Sequence, residues 1–313
     1  MQLSTMTDVQ KDGPMAPAVL GYAVFWCFAG SKVPYATLLN LLANSGLASS
    51  LPDLPTPSAT LRRGLLAWMH EHSVSPLLIR PVSRSPLVFA LVQEEIHQPG
   101  LDLSHTIRLR VLYDALHQDL ICTRVPTGPI DASCRDQALS SDLWPYVQEA
   151  SLTYESSDLT RMLRVMISNL DAIRLQRGVY FVPVSQRARL KQVDDLVHTL
   201  PGSPSPLLVT LERMDDLKTR QQLARVIHAD FLRELDTQEE AMRQIVTATP
   251  TLKTVTARLT SFRALHKKAR VYADLLAERG AEVVHKIDQL QAQAQSLVLA
   301  GTEHLIDTEE KDK

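Results

Sequence analysis

Apolar positions change their spacing three times along this chain, and each change marks a different kind of element. The first apolar segment, "APAVLGYAVFWCFAG" at residues 16–30, is continuous rather than alternating and predicts a buried core helix over about 17–29. In "KVPYATLLNLLANSG", Leu38, Leu39, Leu41 and Leu42 form one apolar face that stops at Ser45-Gly46, a usual helix end. Thr56 and Pro57 have the form of an N-cap and first helical residue, and a third helix follows with Leu61, Leu65, Trp68 and Met69 on one side. From Ser75 to Arg124 the period falls to two, in runs separated by Pro and Gly, which predicts a small antiparallel sheet. The turn-rich stretch 126–141, "PTGPIDASCRDQALSS", reads as a connector and domain boundary.

Helical spacing returns in "SDLWPYVQEAS" and in "SDLTRMLRVMISNLDAIRLQ", where Leu159, Leu163, Met166 and Leu170 align. Next come a strand "GVYFVPV", a helix "VSQRARLKQVDDLVHTL", a strand "LLVTLE" and one long helix from "MDDLKTRQQL" onward. That order describes a compact α/β unit over 142–248 whose two strands pair in parallel across the helix between them. Thr249-Pro250 restarts a helix. Leu259, Phe262, Tyr272 and Leu276, then Val283, Ile287 and Leu290 after Gly280, recur in steps of three and four like a heptad seam. This predicts a C-terminal helical hairpin or coiled-coil arm over 249–305, with loose tails at 1–15 and 306–313. The fold class expected is therefore α+β and mostly helical: a winged-helix-like module with a small antiparallel sheet (16–125), a central α/β unit and the helical arm.

Composition narrows function more than fold. The 313 residues carry 33 Lys+Arg against 35 Asp+Glu, a net charge of -2, so binding to nucleic acid or an acidic membrane must come from a local patch. The apolar run at 16–30 is shorter than the ~20 residues of a membrane crossing, and no basic leader precedes it. Three widely spaced cysteines, Cys27, Cys122 and Cys134, with no C-x-x-C pair, point to reduced thiols and a cytoplasmic protein. Glycine-rich phosphate loops, H-E-x-x-H and G-x-S-x-G are all absent. No cofactor, metal or catalytic set is therefore assigned, although active sites assembled from scattered residues leave no short motif.

Other features have structural explanations. His70 and His72 stand two apart, which suits a helix C-terminus better than a shared metal. Asp215-Asp216 falls where a helix begins and reads as its cap, while Asp194-Asp195 reads as a solvated face. Arginines carry more. Arg177, Arg187 and Arg189 flank the "GVYFVPV" strand, where anions bind in α/β units. In a winged-helix arrangement Arg62 and Arg63 would enter a DNA groove while Arg80 and Arg84 touch phosphates. The alternative for each is a surface arginine paired with a neighbouring carboxylate. The eleven-residue stretch from Gly46 to Thr56 is also far longer than a helix-turn-helix turn.

Across residues 155–245 the chain resembles an uncharacterised prokaryotic protein family marked by a Gly-Val-Tyr-Phe-Val-Pro strand, matched here by Gly178 to Pro183. The resemblance implies a helix-strand-helix-strand-helix core and a bacterial, archaeal or phage source, and it implies no activity. Taken together, these features lead to an expected non-catalytic accessory or scaffold protein that joins a protein partner or its own copy through the long helices. A nucleic-acid binder using the arginines is the second expectation.

Overall fold

The computed structural model describes residues 18–74, 77–98, 102–114, 116–117, 119–125, 135–202, 204–247 and 252–311. The expected tail 1–15, most of the connector and Thr249-Pro250 lie outside these residues. The chain divides into two compact units, neither of them continuous in sequence. One joins Met1–Trp26, Val165–Asp194 and Leu208–Lys313; the other joins Cys27–Arg164 and Asp195–Leu207. Neither division falls at 126–141, because the helix that follows that stretch packs back onto the module before it.

In the second unit, α1 (Tyr35–Asn44) and α2 (Pro57–Glu71) form as the apolar spacing predicts. Thr56 caps α2, its Oγ1 accepting from the Ala59 N–H at 3.3 Å. The sheet over β3 (Leu77–Arg84), β4 (Leu87–Gln98), β5 (Asp102–Asp114) and β6 (Asp119–Arg124) is an antiparallel meander. One face, built on Phe89, Leu91, Leu109, Val111 and Cys122, is covered by Leu61, Leu65 and Trp68 of α2 and by Leu143 and Val147 of α3 (Gln137–Ser151). A Cβ on Gly64 would stand 2.8–3.0 Å from Val147, so glycine is what lets α2 and α3 approach this closely. At the end of α2, Trp68 Nε1 donates to Asp142 at 2.6 Å and His72 Nε2 lies 3.3 Å from the same carboxylate. His72 is the C-cap of α2, with its ring Nδ1 3.0 Å from the Trp68 carbonyl oxygen. A two-stranded ribbon, β2 (Lys32–Pro34) with β7 (Thr153–Glu155), completes the unit.

The first apolar run corrects the expectation most. Val19–Cys27 is not a helix but strand β1, whose Gly21, Tyr22, Ala23 and Val24 are all buried. Aromatic and β-branched residues favour a pleated environment buried on both faces, where a strand shows no alternation. Two helices therefore precede the meander instead of three, so the winged-helix order is absent from the described residues.

β1 belongs to the other unit, in a four-stranded sheet ordered β10-β1-β9-β8, with β9 at Val179–Pro183, β8 at Ile173–Gln176 and β10 at Leu207–Met214. The two strands expected to pair in parallel, β9 and β10, are separated by β1, and β9 is antiparallel to both its neighbours. A Cβ on Gly21 would meet the Val182 carbonyl oxygen at 2.3 Å and the Phe181 ring at 2.6 Å, which makes this position a glycine by necessity. β8 was expected as the end of a helix. In fact helix α4 (Ser156–Ser168) ends before it, and β8 turns into β9 through Arg177-Gly178, with Gly178 at φ +82.

Three long helices complete this unit: α6 (Leu217–Thr247), α7 (Leu252–Val271) and α9 (Glu278–Lys311), with the single turn α8 (Ala273–Leu276) before α9. Asp216 caps α6, accepting from the Thr219 N–H at 2.8 Å and the Thr219 hydroxyl at 2.6 Å. Helix α6 meets α7 at Gln238–Arg258 and Asp230–Lys268, so these two run antiparallel; it meets α9 at His228–Glu282 and Asp236–Lys286, so those two run parallel. The chain breaks at Ala277 (φ +48), and α9 stays helical to Lys311, through most of the expected tail.

Phe262, Tyr272, Leu276, Val283, Ile287 and Leu290 are buried in one core with Leu223, Ile227 and Phe231 of α6, and Leu259 packs against it half-buried. The heptad-like seam is therefore filled by the chain's own helices, as a third helix supplies what a second copy would in a coiled coil.

Candidate arginine cleft

Of the arginines singled out by sequence, most lie in settings that neutralise or isolate them. Arg63 is nearly buried: its Nε stands 3.2 Å from Glu155 and its Nη2 2.7 Å from Asp158, itself only 7% exposed. It is an internal ion pair rather than a groove-reading side chain. It borders a cavity of ≈ 770 Å³ whose charges are mixed, Lys32, Arg63 and His70 with Glu71, Glu149 and Glu155. Arg62 is exposed on α2, Arg80 pairs with Glu94 at 3.2 Å, and Arg84 is exposed at the end of β3. Arg187 and Arg189 are exposed on the first turn of α5 (Arg187–Thr199).

Arg177 is different. It sits at the turn between β8 and β9 and lines a cleft of ≈ 500 Å³ with Arg174, Leu175, Gln176, Arg225, Val226, Ala229 and Arg233. Four of these eight residues are arginines and none is a carboxylate. Arg187 and Arg189, expected beside Arg177, do not line it.

Local structure explains how the arginines come together. Along the middle of α6, Leu223, Ile227, Phe231 and Leu235 are buried, which leaves Arg225, Ala229 and Arg233 in register on an outer face. Eight residues at 1.5 Å each set the two arginines ~12 Å apart, and the small Ala229 between them leaves a depression. The opposite wall is β8, where Ile173 and Leu175 turn toward the core and Arg174 and Gln176 turn out. A register shift between Arg174 and Gln176 brings the strand to its turn at Arg177.

The side chains of Arg174, Arg177 and Arg225 make no hydrogen bond or ion pair among the described residues. Arg233 Nη1 lies 3.3 Å from Asp230 on its own helix, while remaining 68% exposed. Guanidinium groups stay charged at any physiological pH. Like charges ~10 Å apart repel by roughly 0.4 kcal/mol per pair in bulk water and by more near protein. An anion seated among them removes that repulsion, and the planar donor forks match phosphate or carboxylate oxygens. Leu175, Val226 and Ala229 give the cleft an apolar floor, and no aromatic ring lines it.

Among the described residues no group of three His, Cys, Asp or Glu side chains comes together as a metal site, and no helix is long and apolar enough to cross a membrane. DUF6744, described as a family of unknown function, matches residues 19–303. The chain belongs to that family. The DUF6744 match reaches into both compact units and includes all four cleft arginines. No curated protein and no solved structure matches the chain.

The cleft was partly legible in sequence. Arg177 is legible through its strand end. Arg225 and Arg233 carried an available signal, arginines eight apart on one helix face with alanine midway. It was masked by the many other charges on α6.

Proposed function

We propose that this DUF6744 protein is a non-catalytic accessory protein that holds a nucleic-acid backbone in the arginine cleft. The observation that carries this is the cleft's composition: four arginines, three without a side-chain partner among the described residues, and no carboxylate. Such a lining attracts phosphates, and the lack of an aromatic platform favours backbone contact over base stacking, hence sequence-tolerant binding. A net charge of -2 makes the attraction local. Self-association through the heptad-like seam is not part of the proposal, since those side chains are buried within the chain. A cytoplasmic location and a prokaryotic source belong to the same reading. Cys27 and Cys122 are both free thiols, which suits a reducing compartment.

The test is fluorescence anisotropy with a labelled single-stranded oligonucleotide at 50 and 200 mM salt. Four phosphate contacts predict a slope near -0.7 per contact, which weakens binding roughly 50-fold between the two conditions. Absence of binding at the lower salt rejects the proposal.

A further inference from the structure

We infer that an aromatic cleft at the C-terminal end of α3 is a binding site for an organic cation of the alkylated-ammonium class. This does not rest on the function proposed above.

The cleft has a volume of ≈ 510 Å³, within the range of small-molecule sites. Its lining comes from Tyr113 near the end of β5, from the second half of α3 and from Leu152 just beyond that helix. Tyr113 follows Leu109 and Val111 on the inward face of β5 and is buried with them. Trp144 packs against the same core but is only half-buried. The two ring centroids stand 6.5 Å apart with their planes tilted by 47°. Rings so tilted are not stacked face to face, which leaves ring surface to the cleft that both line. Pro145 and Leu152, the latter 56% exposed, extend the apolar lining.

Electrostatics sets the sign of the ligand. Glu149 is the one charged side chain among the described lining residues, and it makes no hydrogen bond or ion pair among the described residues. It stands in the last turn of α3, where there is no basic residue. A helix C-terminus carries about half a negative charge, which a basic side chain offsets and a carboxylate adds to. Aromatic faces contribute negative potential of their own. Rings, helix end and carboxylate therefore all favour a cation.

The apolar lining then selects among cations. A bare ammonium or metal ion gives up strong hydration on entering such a cleft, whereas alkyl groups around a nitrogen leave water favourably against Trp144, Pro145 and Leu152. Centroids 6.5 Å apart allow one charge to lie ~5 Å from both, inside the ~6 Å reach of a cation over a ring.

The test is an NMR titration of the full-length chain with choline and with its uncharged isostere, in which carbon replaces the quaternary nitrogen. It is followed at the Trp144 indole N–H and at the ligand methyl protons. Choline is expected to bind saturably and about tenfold more tightly than the isostere. Glu149→Gln, at an exposed position, should weaken choline about threefold and leave the isostere unchanged. Trp144→Leu should abolish the preference for choline, while Trp144→Phe, which keeps a ring, retains most of it. Equal affinity for choline and isostere would reduce the site to an apolar groove and overturn the inference. So would the absence of saturable choline binding, or binding that none of these variants changes. If Trp144→Leu does not fold, the isostere and Glu149→Gln still decide. A peptide carrying trimethyllysine, compared with the same peptide unmodified, identifies the source. Binding tighter than choline upholds the site and assigns the head group to a protein partner, and weaker binding upholds it for a free small molecule. Equal binding of the modified and unmodified peptides, at an affinity matching choline, would overturn the preference for alkylated nitrogen.

Discussion

Arg63 and Arg225 both stand on helices whose apolar faces fill a core, yet the structure gives them opposite surroundings. Arg63 is 13% exposed and holds two carboxylates, of which Asp158 also accepts the backbone N–H of Glu155. Arg225 lines an open cleft with three more arginines and no acid. The difference lies in what the partner elements bring: β7 and α4 (Ser156–Ser168) present Glu155 and Asp158 to Arg63, whereas β8 presents Arg174 and Arg177 to Arg225. Whether an arginine is paired with acids or left among other arginines is decided by the element across from it, often distant in sequence.

The largest way to sharpen that contrast is Arg63→Ala. Removing one partner of a buried pair leaves Asp158 only the mostly exposed Arg161, 3.2 Å away, as its cation, and the loss expected is about 3 kcal/mol in a denaturant titration. Oligonucleotide affinity of the folded fraction should not change. A loss below about 1 kcal/mol would mean that Arg63 is not a structural arginine.

Next come the two glycines of close approach. Gly21→Ala must displace a carbonyl of β9 and Gly64→Ala must push on α3, each at roughly 1–3 kcal/mol measured by thermal unfolding. Only Gly21→Ala disturbs the sheet that carries β8, so only it should also weaken oligonucleotide binding.

Arg225→Glu reverses the pattern of Arg63→Ala. As a surface change it should alter stability by no more than about 0.5 kcal/mol, while binding weakens and the salt slope becomes shallower by about 0.7 or more. A smaller effect is expected at Arg80. Its pair with Glu94 is exposed, 58% and 31%, so Arg80→Ala should cost less than about 1 kcal/mol and leave binding unaltered.

pH gives the smallest effect. Asp216 is held below the usual carboxylate range by the Thr219 hydroxyl and then by the Thr219 N–H. A depressed native pKa contributes stability that is present above the ordinary value and lost as pH falls through the native one. The acid limb of a stability profile should therefore flatten in Asp216→Asn. An unchanged acid limb would mean that the cap carries no linkage.

How much of this was legible beforehand follows the same logic. Helices α1, α2, α3, α5 and α6 and the meander could be read because their local period and caps agree with the fold, as Thr56 and Asp216 show. β1 could not. Its apolar run has the same appearance for a helix and for a strand buried on both faces, and the neighbours that decide, β9 and β10, lie more than 150 residues away. β8 was hidden because the helical spacing of Leu159, Leu163 and Met166 carries on to Leu170 past the true end of α4 at Ser168. The seam at Phe262, Leu276 and Ile287 was read correctly as a seam, but period alone cannot say whether the complement is another chain or α6. For the site, sequence supplied one wall of the cleft through Arg177 and missed the other, since contact between β8 and α6 is a tertiary fact.

The most direct test of the cleft is the salt-dependent anisotropy of a labelled single-stranded oligonucleotide, compared between Arg177→Glu/Arg225→Glu and Arg62→Glu/Arg84→Glu. Both double variants change net charge by the same amount, so any difference reports location. The arginine-cleft account predicts that the first pair abolishes the steep salt slope and weakens binding at least about 30-fold at 50 mM salt, while the second pair stays within about threefold of wild type. Equal loss in both, or a greater loss in the second, would contradict it.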